Sequence, residues 1–444
     1  MATFHLVSLG CPKNLVDSEV MLGFLQEAGW QLTEDPNDAT VLLVNTCGFI
    51  QAAVEEAVDE ILELAKIKEH DPRKYLVVTG CLVQRYGDKL ALELPEVDLF
   101  VGTEGVPDIA NLIQDLLSGS LVEKVNCPAR FLMDSSMPRV ISTPFFRSFL
   151  KITEGCNNRC SYCMIPSIRG SLRSRPVADL CQELRHLEQD GMKEISLIAQ
   201  DLTAYGRDLG SEVTLPVLLR QLLAQTDVPW IRLMYLYPSG VTDELLELIQ
   251  REARILPYID IPFQHVSDSI LKRMNRHYGQ RDLCRFVDRV REVVPDIALR
   301  TTMMVGFPGE TEDDLHQLES FLKKYQIDHV GLFAYTNEQG AASENFEDQC
   351  TDELKQDRLQ RVMELQADIS KNILQKYVGQ VLPVLVEGLS RETDLLLEGR
   401  TVYQAPDIDG CVYITDGIAN PGDIVQVRIT EAQIYDLVGE IVEG

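Results

Sequence analysis

The sequence predicts an α/β chain in three parts: an N-terminal parallel-sheet domain, a full or partial (β/α) barrel and a small C-terminal all-β module. Three observations lead there. Short continuous apolar runs alternate with helix-period segments over the first 125 residues, a longer series of the same alternation follows a proline-broken stretch, and the last segment is rich in Val, Ile and Tyr with Gly and Asp turns. A length of 444 residues suits about three domains of roughly 150 residues each.

In the first part, residues 1–125, the runs Phe4 to Ser8, Val41 to Asn45, Tyr75 to Thr79 and Leu99 to Val101 read as buried strands, with helical stretches such as Val54 to Leu64 between them. Cys11, Cys47 and Cys81 each come shortly after one of these strands, 36 and 34 residues apart, which is one βα unit each time. Parallel strands present their carboxyl ends at one edge, so three thiols are expected to converge there, with Gly10, Gly48 and Gly80 permitting close backbone approach. Repetition at equivalent positions favours a three-thiolate cluster site. Buried structural cysteines or zinc ligands are the competing readings.

A linker is expected at 126–144, broken by Pro128, Pro138 and Pro144. Residues 145–377 then offer six strands, Phe149 to Thr153, Glu194 to Ile198, Ile231 to Leu236, Tyr258 to Ile261, Leu299 to Val305 and His329 to Ala334, with amphipathic helices between them. Cys156, Cys160 and Cys163 follow the first of these strands as a CxxxCxxC triplet, at the edge where such folds hold their active sites. Three thiolates suit an iron-sulfur cube with one iron left free, while the spacing fits neither a two-cluster ferredoxin nor a closed zinc site. Zinc or accidental clustering is the remaining alternative.

The last part, 378–444, follows a charged helix candidate from Asp352 to about Tyr377 and carries three basic and twelve acidic residues, a net charge of -9. The whole chain has 41 basic and 69 acidic residues and a formal net charge of -28. Such a surface repels nucleic-acid phosphate and favours basic partners. Eleven cysteines, an odd number at low density, and an N-terminus without a basic n-region or a long apolar core point to a reducing cytoplasm. No apolar run approaches the roughly 20 residues that a bilayer requires, so no membrane span is expected.

Ser8-Leu-Gly-Cys-Pro-Lys-Asn, Asn45-Thr-Cys-Gly-Phe, Thr79-Gly-Cys and Gly155-Cys-Asn-Asn-Arg-Cys-Ser-Tyr-Cys-Met-Ile-Pro with Arg169-Gly, in this order, resemble the methylthiotransferase family of radical S-adenosylmethionine (radical SAM) enzymes along the whole chain. The resemblance implies two 4Fe-4S clusters, at Cys156, Cys160 and Cys163 and at Cys11, Cys47 and Cys81, a radical SAM barrel and a terminal TRAM-like β-barrel. It implies S-adenosylmethionine as radical source and methyl donor, and a reducing electron donor. The Cys-Pro-Lys-Asn run, the Cys-Met-Ile-Pro-Ser-Ile-Arg-Gly stretch and the acidic last part resemble the protein-directed branch, which methylthiolates the β-carbon of an aspartate in small-subunit ribosomal protein S-twelve. A tRNA adenosine substrate, or a non-catalytic iron-sulfur scaffold, is the alternative. A -9 module argues against tRNA.

Tyr162, Gln200, Asp201 and Gly306 are the candidate cofactor contacts, since Gln200, Asp201 and Gly306 lie at strand ends; ordinary strand-to-helix turns would account for those three equally well. His265 reads as a hydrogen-bonded mouth residue. From Arg147 to Arg175 six basic residues face one Glu, and Arg169, Arg173 or Arg175 is the candidate to hold the substrate carboxylate. Cys127, Cys181, Cys284, Cys350 and Cys411 are expected to be structural. The last part is read as a docking module whose removal spares cofactor cleavage.

Overall fold

The computed structural model describes residues 2–120 and 129–442. Residues 126–128 of the expected linker, with Cys127, lie outside the described residues. The N-terminal sheet is built from β1 (Thr3–Ser8), β2 (Gln31–Leu32), β3 (Val41–Thr46), β4 (Tyr75–Gly80) and β5 (Leu99–Val101), all parallel in the order β2-β1-β3-β4-β5. The strand order reverses between β1 and β3, and it is at such a switch point, beyond the carboxyl ends, that open α/β sheets bind ligands. Register aligns those ends: Ser8 pairs with Asn45 and Asn45 with Thr79. The two-residue β2 is an edge strand too short and too exposed to show in the apolar pattern.

The helix Pro12–Glu27 starts directly after Cys11, with proline in its first turn, where a missing N–H leaves no carbonyl unpaired. It is buried on nearly every side, with Asp17, Ser18 and Glu19 among its buried residues. One face covers the sheet, as Val16, Val20 and Leu25 share a core with Phe4, Val41 and Leu43. The other meets the linker, where Arg139 Nη2 holds Glu19 at 2.7 Å, and the second domain, where Arg169 Nη1 holds Asp17 at 2.6 Å.

The second domain opens with β6 (Arg147–Lys151). A short antiparallel pair, β7 (Thr153–Glu154) and β8 (Arg173–Ser174), brackets the cysteine triplet, and β9 (Glu194–Ile198), β10 (Trp230–Leu233), β11 (Ile255–Asp260), β12 (Ala298–Val305) and β13 (His329–Ala334) follow. The six long strands run parallel in the order β13-β12-β11-β10-β9-β6, an open sheet that makes a partial barrel. Alternation along the strands assigns the two faces. Leu150, Ile195, Leu197, Ile231, Leu233, Ile259 and Leu299 pack with the apolar sides of helices such as Val177–Gln189 and Gln280–Val293, whereas Glu194, Arg232, Tyr258 and Arg300 point to the opposite face.

That polar face is covered by the last part of the chain. There β14 (Val381–Leu389), β15 (Leu397–Thr401), β16 (Val412–Asp416), β17 (Ile424–Ala432) and β18 (Leu437–Ile441) close a barrel in the order β14-β15-β16-β18-β17. Arg400 Nη2 pairs with Glu194 at 2.6 Å, the Tyr258 hydroxyl donates to Asp409 at 2.7 Å, and Arg147 Nη1 pairs with Asp407 at 2.7 Å. Asp407 and Asp409 of the module are therefore engaged inside the chain, and deleting 378–444 would leave charged groups on the barrel without these partners. No helix among the described residues is long and apolar enough to cross a membrane.

Candidate functional site

Two groups of three cysteines lie at the carboxyl edges of the two sheets. In the first, Gly10 adopts φ +89, and a Cβ there would stand 2.5 Å from Cys47 Cβ and 3.1 Å from its sulfur, so only glycine lets the two loops approach this closely. Cys47 feels the charge of Cys11, and Cys81 that of both, which brings the three thiols into one electrostatic neighbourhood. Burial pushes the Cys81 thiol up to about 12, opposed by Arg169, whose Nε and Nη2 donate to its sulfur at 3.3 and 3.2 Å.

In the second group, Cys156, Cys160 and Cys163 sit on the loop between β7 and the short helix Ile165–Arg169. Burial raises Cys156 to about 11 and Cys163 to about 12, and each feels the charge of its neighbours. The backbone N–H of Asn158 points to the Cys156 sulfur at 3.4 Å, and that of Ile165 to Cys163 at 3.5 Å. Among the described residues no three His, Cys, Asp or Glu side chains gather tightly enough for a single metal ion. An iron-sulfur cube, with irons at separate corners, takes its thiolates from a wider perimeter than a mononuclear site. The donor sets fit such a group. Each supplies three thiols, and burial disfavours the anions of Cys47 and Cys81 in the first and of Cys156 and Cys163 in the second, so a cationic iron centre would supply the missing stabilisation.

A buried charge network joins the two sites. Arg169 Nη1 reaches Asp17 at 2.6 Å and Glu154 at 3.5 Å, while Lys151 pairs with Asp17 and, at 2.8 Å, with Glu154. Two cations and two carboxylates thus cancel within a region closed to water.

The structure places the predicted contacts unequally. Gln200 Nε2 donates to Glu154 at 3.0 Å while its buried Oε1 is without a partner, and Asp201 accepts from Asn158 Nδ2, inside the cysteine triplet, at 2.8 Å. Tyr162 packs edge-on to Phe307, 6.4 Å between ring centres. The Gly306 N–H is taken by Glu310 at 2.8 Å. His265 is fully buried, accepts the Ser267 N–H at 3.0 Å and is pushed down to about 4 by burial, so it is neutral at pH 7. The arginines expected to meet the substrate are engaged within the chain. Arg175 is fully buried against Asp179 and Glu183, Arg173 donates to the carbonyls of Phe131, Ser171 and Arg169, and Arg169 belongs to the network. For Arg169 and Arg175 these contacts favour positioning roles over direct capture of a carboxylate, because a buried guanidinium already matched to carboxylates has little left to offer another, while the half-buried Arg173 is held by backbone carbonyls alone.

Three residues at the mouth were missed. Lys13 lies over the Tyr235 ring, 3.5 Å from its centre, Tyr235 itself has φ +60, and Arg276 stacks over Tyr237 at 4.9 Å close enough to Cys160 to feel its charge. The strained position directly beyond a barrel strand was the signal available at Tyr235. It is invisible without coordinates.

The chain is 61% identical over 439 residues to a protein of Desulfotalea psychrophila named ribosomal protein uS12 methylthiotransferase RimO, covering 99% of each chain. A Geobacter sulfurreducens protein of the same name is 48% identical and covers 98% of each. The chain belongs to the ribosomal protein uS12 methylthiotransferase family. Like the parts seen in the structure, this methylthiotransferase matches three family models: uncharacterized protein family UPF0004 at residues 3–102, the radical SAM superfamily at 150–322 and the TRAM domain at 378–442. A radical SAM enzyme works with a 4Fe-4S cluster and S-adenosylmethionine. Among solved structures, the radical S-adenosylmethionine methyltransferase TsrM of Kitasatospora setae matches with a TM-score of 0.56 at 15% identity, covering 74% of this methylthiotransferase and 72% of TsrM. The cobalamin-dependent radical enzyme OxsB gives 0.54 at 14%, with 83% and 56% covered. At these identities the likeness concerns the fold alone.

Proposed function

We propose that this protein methylthiolates the β-carbon of an aspartate in ribosomal protein uS12, in the cytoplasm, with electrons from a reducing donor and with no role for tRNA. The observation that carries the reading is the pair of cysteine triads at facing carboxyl edges, joined by the Asp17, Glu154, Lys151 and Arg169 network. The family name carried by the relatives supports the substrate, and a net charge of -28 suits a basic ribosomal protein better than a nucleic acid.

Cys156, Cys160 and Cys163 would hold the 4Fe-4S cluster that binds S-adenosylmethionine, and Cys11, Cys47 and Cys81 a second one for sulfur delivery. Bound there, these groups supply radical chemistry able to take hydrogen from an unactivated carbon, which no side-chain base achieves at neutral pH. The chain's own residues orient and exclude water. Asp201 and Asn158 brace the second triad, Gln200 offers its free Oε1 to the cofactor, Tyr162 walls the pocket, and Gly306 shapes the turn after β12. Arg169 places positive charge beside Cys81, while Arg173 and Arg175 fix the segment that carries it. In this reading the working parts are 1–125, the linker 126–144, the radical SAM domain 145–377 and the terminal barrel 378–444.

The test is an anaerobic reaction of reconstituted protein with S-adenosylmethionine and reductant, reading 5'-deoxyadenosine together with the mass of a uS12 peptide and, separately, of tRNA. One added methylthio group on the aspartate peptide alone is the expected result. Modification of tRNA alone, or no deoxyadenosine from fully loaded protein, would overturn the proposal.

A further inference from the structure

The loop that carries Cys11 touches the barrel mouth through Lys13. Its ammonium sits 3.5 Å over the centre of the Tyr235 ring, and Tyr235 follows β10 in a left-handed conformation, φ +60, that a tyrosine adopts only when its surroundings hold it there. From Tyr235 a chain of contacts runs to the other triad: its carbonyl accepts the Leu202 N–H at 2.9 Å, and the adjacent Asp201 accepts from Asn158 at 2.8 Å. Lys13 therefore stands between the two cysteine sites.

Charge matching isolates it. The carboxylate that acts on it, Asp260, is already hydrogen-bonded by Arg300 at 3.0 Å and by the Tyr235 N–H at 3.2 Å. Asp17 and Glu154 are matched by Lys151 and Arg169. Among the described residues Lys13 forms no ion pair, although it is half-buried. An aromatic face satisfies one side of an ammonium and leaves its remaining N–H donors for an anion arriving from the mouth.

We propose that Lys13, held over Tyr235, binds the side-chain carboxylate of the substrate aspartate and selects it over the neutral amide. This inference rests on the aspartate reading above. An ammonium at this place fixes the carboxylate, and with it the neighbouring β-carbon, between the two triads. The competing role is that of a counter-ion for a group held by Cys11, which would leave substrate choice untouched.

Reconstituted wild type, Lys13→Met and Lys13→Arg are compared on two labelled uS12 peptides, one with the target aspartate and one with asparagine in its place. Peptide Kd is read by fluorescence anisotropy, product by mass, and loading by iron content. The wild type is expected to prefer the aspartate peptide, Lys13→Met to lose about 10- to 100-fold in affinity for it with little change for the asparagine peptide, and Lys13→Arg to recover most of the preference. An unchanged ratio of the two Kd values in Lys13→Met, with or without loss of iron, overturns the Lys13 assignment alone. A fully loaded wild type that modifies neither peptide overturns the aspartate reading and the assignment with it.

Discussion

Arg169 reaches out of the segment after the second cysteine triplet to Asp17, Asn14 and Cys81, more than 80 positions away in the chain at the nearest. Its sequence neighbourhood shows a run of positive charge with one carboxylate, Glu154, and nothing of Asp17, which lies closest to it. Arg147 likewise meets the distant Asp407 and Lys151 the distant Asp17, whereas Arg175 meets Asp179 and Glu183 on the helix that follows it. Removing one member of such a buried set leaves a charge without its partner. Arg169→Met is therefore expected to destabilise the protein by about 3–5 kcal/mol, measured by urea unfolding, and Arg169→Lys by less, since it keeps the charge and loses the fork. Equal losses for the two variants would show that packing, and not charge, dominates at this position.

At the level of single elements, the strand-then-cysteine pattern was legible because a parallel sheet repeats the same geometry in every βα unit. Strands expected at Glu194 to Ile198 and His329 to Ala334 are found with those bounds, and helices extend a few residues beyond their most amphipathic stretches. The short edge strand β2 was not legible, whereas the close approach of the Cys11 and Cys47 loops was, through the glycine beside Cys11. Gly10→Ala is predicted to force both a left-handed alanine and a Cβ 2.5 Å from Cys47 Cβ. The expected outcome is a loss of about 1–3 kcal/mol with iron content about halved after reconstitution, read by denaturation and iron analysis. Full iron loading in that variant would separate the glycine from the Cys11 site.

Across the whole molecule, the terminal barrel is tied to the radical SAM domain by Glu194, which lies between Arg232 and Arg400, each 2.6 Å away. Burial alone would raise its carboxyl, but Arg400 and Arg232 outweigh burial and hold it down at about 2. A carboxyl depressed in the folded state lends stability above its unfolded value near 4.5 and loses it as pH falls toward about 2. Glu194→Gln is therefore expected to cost about 3–5 kcal/mol at pH 7, and the gap from wild type to narrow between about pH 4.5 and 2 in thermal or urea unfolding. A gap independent of pH across that window would refute the electrostatic account of this junction.

What the sequence determined by itself was local or periodic: parallel strands, the six thiols after their strands, and a terminal all-β module, each written by neighbouring residues or by a repeat that the backbone enforces. Only the tertiary structure decided which charges meet. It matched Arg147, Lys151 and Arg169 to carboxylates distant in sequence, turned an acidic module into the cover of the barrel's polar face, and left Lys13 unpaired between the triads. The physical reason is that ion pairing depends on distance in space, and residues far apart in sequence acquire a distance only when the chain has folded.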